Sequence, residues 1–201
     1  PVVGRMVSDP NGGRDRWLKP VEAKRLLKEA KTSKASHLHD FILLALNTGA
    51  RSGELMNLEW SRVDLTANEI YLEAIHTKSA RPRVLPLNQE ARQALIGRMK
   101  FRAEHCPDAP YVFVNRRGQR ITSVKKSFRT ACNRAGISDF RIHDLRHTFA
   151  SWLVRKGVPL LNVSRVLGHS TIKMTERYAH LEPRESVVRV LDSRDSGHTP
   201  V

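Results

Sequence analysis

The sequence predicts a mainly α-helical domain with one small three-stranded antiparallel β-sheet, an α+β fold. Three observations lead there. Apolar residues recur at helical spacing along most of the chain, and several of these stretches end at glycine, at 49, 136 and 157. The period shortens to two only between residues 61 and 87, in brief runs separated by turn residues. The extended runs are too local, and the helices too many, for a doubly wound α/β sheet.

Taken in order, residues 1–16, "PVVGRMVSDPNGGRDR", are rich in Gly, Pro, Asp and Asn and read as a linker into the domain. "WLKPVEAKRLLKEAKT" starts a helix, with Pro20 in the first turn and Val21, Leu26, Leu27 and Ala30 on its apolar stripe. "HLHDFILLALNTGA" is a second, buried helix closed near Gly49, and "RSGELMNLEW" a short third one. "SRVDL", "EIYLEAI" and "PRVLPL" are the three strands, and Lys78 lies in the "HTKSAR" turn between the second and third. Asn88 is a good N-cap for the helix "QEARQALIGRMKFRAEH". After an extended stretch and turn, "YVFVNRRGQRIT", come the helices "SVKKSFRTACNRAG" and "IHDLRHTFASWLVRKG". "PLLNVSRVLG" and "TIKMTERYAH" are two more, and the second is expected to carry Tyr178. From Glu182 the chain turns polar as a tail.

Composition narrows the function. The 201 residues suffice for one good core or two small domains, and 40% hydrophobic content fits an ordinary soluble globule. No run approaches the roughly 18 apolar residues of a membrane-spanning helix, and no signal peptide is visible, so a cytoplasmic protein is expected. The first residue is Pro1 rather than Met, as expected of a fragment or a processed product. Cys106 and Cys132 have no C-x-x-C pattern and read as two free thiols. Lys and Arg number 35 against 20 acidic residues, a net charge of +15. An excess of that size points to a polyanionic partner, with nucleic acid ahead of an anionic membrane.

The familiar phosphate loops, dinucleotide fingerprints and H-E-x-x-H zinc motifs are absent, and there is no carboxylate cluster suited to magnesium. Chemistry on phosphate would therefore rely on cationic side chains. Arg51 and Glu54 are spaced i, i+3, either as an oriented pair in a site or as a surface ion pair worth under about 1 kcal/mol. His143, Arg146 and His147 stand at i, i+3 and i+4 on one helix face. That face could meet a phosphate through His143 and the fork of Arg146, could hold zinc if a third ligand existed, or could keep His147 as a satisfied core histidine. Tyr178 is either a nucleophile or a core tyrosine with a bonded hydroxyl.

Four motifs in order, "ARSGEL", "HTKSARPRVLPL", "HDLRHTFAS" and "LGHSTIKMTERYAH", resemble those of the tyrosine recombinases, also called phage-type integrases. They span residues about 17–181, which the resemblance makes a catalytic domain, with 1–16 as an interdomain linker and 182–201 as a C-terminal tail. It implies that Tyr178 attacks a DNA phosphate to give a 3′-phosphotyrosyl link and a free 5′-hydroxyl. Arg51 and Arg146 would clamp the non-bridging oxygens, Lys78 would protonate the leaving oxygen, and His169 would donate to the phosphate. His143 would act as general base or phosphate donor. Glu54 would orient the site, and His147 would support packing. No metal and no cofactor are implied, and activity should resist EDTA. The implied partner is double-stranded DNA, engaged by a homotetramer on synapsed DNA and by a monomer in isolation, with no membrane. Alternatives are a type IB topoisomerase, a DNA-binding module without catalysis, and a metallonuclease. The resemblance also implies an N-terminal helical domain beyond these residues that completes a clamp on DNA. It further implies that Val187, Val188, Val190 and Leu191 pack into a hydrophobic groove, in cis or in trans.

Overall fold

In the computed structural model, residues 16–73 and 82–183 are described. The expected linker up to residue 15, the Lys78 turn and the tail stripe at Val187, Val188, Val190 and Leu191 lie outside the described residues.

The helices form where the apolar spacing demands them. α1 (Pro20–Lys31) opens on the proline, whose missing N–H is no loss in a first turn. Its inward stripe is Ala23, Leu26 and Ala30. Val21, expected on that stripe, is 68% exposed, because five residues from Leu26 turn it well off the buried face. Just before α1, the Leu18 N–H donates to Thr148 Oγ1 at 3.0 Å, and Trp152 Nε1–H donates to the Leu18 carbonyl at 2.9 Å. The entry of the chain is thereby tied to the helix that carries the "HDLRH" motif.

α2 (Leu38–Thr48) is the central rod, with Leu38, Phe41, Ile42, Leu44 and Leu46 all buried, and it packs against α1, α4 and α6. α3 (Ser52–Met56) follows after a sharp turn. β1 (Val63–Asp64), β2 (Glu69–Leu72) and β3 (Arg83–Pro86) form an antiparallel sheet in the order β1-β2-β3. Ile70 pairs with Val63 on one side and Leu85 on the other, and Leu72 pairs with Arg83. The two-residue alternation therefore sends Ile70, Leu72, Leu85 and Arg83 toward the core side, while the paired Tyr71 and Val84 face outward and are exposed. α4 (Gln89–His105) is capped by Asn88 Oδ1, which accepts from the Ala91 N–H at 2.9 Å.

α5 (Lys125–Arg134), α6 (Asp144–Arg155), α7 (Leu160–Leu167) and the short α8 (Lys173–Glu176) complete the helices. A 3₁₀ turn at Ala179–Leu181 follows. One large apolar cluster is built from α1 to α5, the sheet and Leu145 of α6, and a smaller one joins Phe149, Ala150, Val154, Val163, Leu167 and Tyr178. The expected helix through Tyr178 is shorter than its polar sequence suggested. α8 stops at Glu176, and Tyr178 stands at the start of the 3₁₀ turn, pulled inward by the second cluster. The architecture is thus mainly helical with a small antiparallel sheet. Cys106 and Cys132 are free thiols. Among the described residues no helix is long and apolar enough to cross a membrane.

Candidate active site

The site forms where the ends of α2 and α7 meet the start of α6. α2 ends in Gly49 with φ of 63°, and a Cβ there would lie 2.3 Å from Phe149 Cδ1, so only glycine fits both the backbone and the packing. α7 ends likewise in Gly168 with φ of 65°. Arg146, in the first turn of α6, reaches both ends. Its Nη1 donates to the Gly49 carbonyl at 2.8 Å and its Nη2 to the Leu167 carbonyl at 2.6 Å. Carbonyls at helix C-termini carry partial negative charge, which suits a cation. The side chain is 4% exposed. Burial, then the neighbouring Arg51 and Arg83, lower its pKa to about 9, so it stays charged at neutral pH.

Arg51 begins α3. Its backbone N–H donates to Glu54 Oε2 at 2.7 Å and its Nη1 to Glu54 Oε1 at 3.1 Å. Glu54 is 4% exposed and also receives Arg83 Nη2 at 2.6 Å. Burial alone would raise the Glu54 carboxyl, but the bonds from Arg83 and Arg51 hold it below its ordinary range. The pair anticipated at i, i+3 is therefore no surface pair: it is a buried carboxylate shared by two guanidiniums.

The imidazoles line a cavity of about 640 Å³ together with Arg146 and Tyr178. His143 immediately precedes α6 and is exposed, and its ring meets that of His147 edge-on at 4.8 Å between centroids. His169 follows the Gly168 turn, and its Nδ1 pairs with Thr175 Oγ1 at 2.7 Å, which fixes the ring and leaves Nε2 as its other polar atom. Burial, followed by Arg146, Arg51 and Arg83, lowers the His169 pKa to about 4. Burial, followed by His143 and Arg177, lowers that of His147 to about 3. Desolvation and Arg146 lower that of His143 as well. All three rings are thus neutral at pH 7. The cavity joins the fixed Arg146 guanidinium, Arg177 and Lys173 to three uncharged imidazoles, with Glu176 also in its lining, and an anion would balance its positive excess.

Tyr178 is 6% exposed, and its hydroxyl is hydrogen-bonded to Nδ1 of His147. The neutral imidazole has two tautomers. With the proton on Nε2, the bare Nδ1 accepts from the phenol, which is the arrangement that primes the oxygen. His147, expected only to support packing, is the polar partner of the candidate nucleophile.

Of the residues singled out in the sequence, the structure brings His143, Arg146, His147, His169 and Tyr178 to one cavity. Arg51 and Glu54 lie beside it: Arg51 acts through charge on both Arg146 and His169, and Glu54 on Arg146. Lys78 lies outside the described residues. Sequence reading passed over Arg83 and Thr175. Arg83 shows only as a cation in phase with the inward residues of a strand. Thr175 had no signal beyond its spacing from His169. Among the described residues no group of three His, Cys, Asp or Glu side chains could hold a metal ion, and His143 and His147 face each other edge-on rather than converging.

Comparison with known proteins places the chain in a family. Residues 16–185 match the model of the phage integrase family. The chain is similar to an integrase of Salmonella phage P22, 36% identical over 190 residues, with 88% of this chain and 46% of that protein covered. It is similar to tyrosine recombinase XerC of Azotobacter vinelandii, 34% identical over 188 residues, with 90% of this chain and 61% of that protein covered. The chain thus spans roughly half the length of these relatives. Among solved structures it is similar to the catalytic domain of bacteriophage HP1 integrase, at a TM-score of 0.65 and 30% identity, covering 86% of this chain and 93% of that one.

Proposed function

The chain belongs to the phage integrase family, and from that premise we propose that it cleaves and rejoins DNA strands at specific sites through a 3′-phosphotyrosyl intermediate, with residues 17–181 as its catalytic domain. The observation that carries this reading is the Tyr178 hydroxyl on His147, in a cavity shared with Arg146, His143 and His169.

The steps follow from the side chains. The Tyr178 oxygen attacks the scissile phosphorus, and its proton passes to Nδ1 of His147. An imidazole with a pKa near 3 is by itself a weak base. A phosphate anion brought among these rings stabilises their protonated forms and raises that value, so proton acceptance is coupled to DNA binding. Arg146 and Arg51 stabilise the non-bridging oxygens, where charge grows in the transition state. Arg146 needs no reorganisation for this, because two helix-end carbonyls already hold it. His169 and His143 add donors to the same oxygens. The bond from phosphorus to the 5′-oxygen breaks, and Lys78 supplies the proton to that leaving oxygen. Phosphodiester energy is kept in the phosphotyrosyl bond, so the reverse attack by a 5′-hydroxyl rejoins a strand without ATP. The partner is double-stranded DNA, with a homotetramer on synapsed DNA and a monomer in isolation, and the setting is the cytoplasm. The net charge of +15 supports a polyanionic partner.

The test is a nicked suicide duplex in EDTA. Wild-type protein is expected to give an SDS-resistant covalent adduct, and Tyr178→Phe to bind the duplex without forming one. An adduct that vanishes with EDTA, or that persists in Tyr178→Phe, contradicts the reading.

A further inference from the structure

Arg83 belongs to none of the residues assigned a role by the motifs, yet three segments of the site meet on its side chain. Strand alternation in β3 turns it to the core side, where it is only 7% exposed. Its Nη2 lies 2.6 Å from Glu54 Oε2, and its Nε donates to the Val166 carbonyl at 3.1 Å. It also runs against Gly168 so closely that a Cβ there would come within 2.8 Å of Arg83 Cδ and 3.1 Å of its Nε and Nη1. The other oxygen of Glu54 holds Arg51. One side chain therefore touches α3 through Glu54, the last turn of α7 through Val166, and the glycine turn that delivers His169.

We propose that Arg83 is a positioning residue for strand cleavage, a three-way tie that sets the spacing between Arg51 on one side of the site and His169 on the other. The inference rests on the reading of the cavity as a phosphoryl-transfer site. Arg83 is not itself assigned as a phosphate ligand, since it does not line the cavity that Arg146 shares with Tyr178 and its Nη2 is committed to Glu54. It acts through what it holds. Without it, Glu54 keeps a buried negative charge with Arg51 alone, and the 166–168 backbone loses its link to the sheet. Lysine is an incomplete substitute, because a single ammonium cannot address a carboxylate and a carbonyl with a fixed fork. Arg83 also contributes to the neutrality of His169, after burial, Arg146 and Arg51.

The test compares the 201-residue chain as wild type, Arg83→Lys, Arg83→Met, Glu54→Gln and the Arg83→Met/Glu54→Gln double variant. The probe is a pool of nicked duplexes randomised around the nick, and the readouts are Kd and the rate of covalent adduct formation at saturating DNA. Arg83→Met is expected to slow adduct formation by about 10- to 100-fold, as a displacement of about 1 Å can do, with Kd little changed and Arg83→Lys intermediate. The double variant is expected to be slowed by less than the product of the two single effects, because both single variants remove the one contact that Glu54 and Arg83 share. In parallel, the His169 ring titration, followed by NMR, is expected to rise in Arg83→Met. A wild-type rate in Arg83→Met, additive effects in the double variant, or a loss confined to Kd overturns the inference. If Arg83→Met does not fold, a folded Arg83→Lys decides: a slowed rate supports the tie, and a wild-type rate overturns it. Absence of any adduct from wild-type protein overturns the strand-cleaving reading itself. The His169 titration then judges Arg83 separately, and an unmoved titration overturns its role.

Discussion

At the scale of residues, the site is defined by which groups are allowed to be charged. Arg146 keeps its charge in a buried position because two helix ends supply carbonyls to it. His147 and His169 cannot hold a charge in the same surroundings, and burial with nearby guanidiniums drives their pKa values to about 3 and about 4. His37, buried near Arg98, falls to about 4 for the same two reasons. In the unfolded chain these rings titrate near 6.5. Between about pH 6.5 and pH 4 the unfolded state therefore binds more protons than the folded one, so folding stability decreases as pH falls through that window. The thermal midpoint is expected to drop steadily from pH 7 to pH 5. His147→Gln, which keeps an acceptor for Tyr178 but no titration, is expected to flatten that drop. A midpoint unchanged across this range would mean that the rings charge freely, and the proposed balance of the cavity would be wrong.

At the scale of elements, two glycine-ended helices and one strand bring the residues together. Gly49 and Gly136 have nearly the same backbone, φ of 63° and 65°, but a Cβ at Gly49 would strike Phe149 at 2.3 Å whereas one at Gly136 meets nothing within 4 Å. Urea unfolding of the alanine variants separates the two effects. Gly136→Ala is expected to cost about 1 kcal/mol from the left-handed conformation alone. Gly49→Ala is expected to lose a further 1–3 kcal/mol, roughly, from overpacking against α6. Equal losses would show that Phe149 yields without penalty. Much at this scale was legible in the sequence. The apolar run of α2, the glycine stops, the Asn88 cap and the change of period at the sheet each have a local cause. So do the spacings that put Arg51 with Glu54 and His143 with Arg146 and His147. What stayed hidden depends on contacts distant in sequence. Nothing near Arg83 announces Glu54 on another element, and nothing near His147 announces Tyr178, 31 positions later. Val21 misled because a valine near a helical stripe reads as buried until the packing partner fixes the face. The helix expected through Tyr178 broke early because the second apolar cluster draws the tyrosine inward.

For the whole molecule, the fold turns an excess of positive charge into a directed site. The chain carries a net charge of +15, and three of its guanidiniums, Arg51, Arg83 and Arg146, come together where the ends of α2 and α7 meet α6. Strand cleavage is the proposal that makes these arrangements parts of one device, and its central claim is that a single phenolic oxygen carries the DNA. The chain has three tyrosines, Tyr71, Tyr111 and Tyr178. Tyr71 is exposed on the outer face of the sheet, and only Tyr178 lines the cavity with Arg146. The most direct measurement is proteolysis of the covalent complex trapped on a nicked duplex, followed by mass spectrometry of the nucleotide-linked peptide. The expected result is a single modified peptide with the phosphate on Tyr178. Linkage to Tyr71, Tyr111 or a non-tyrosine residue would contradict the account.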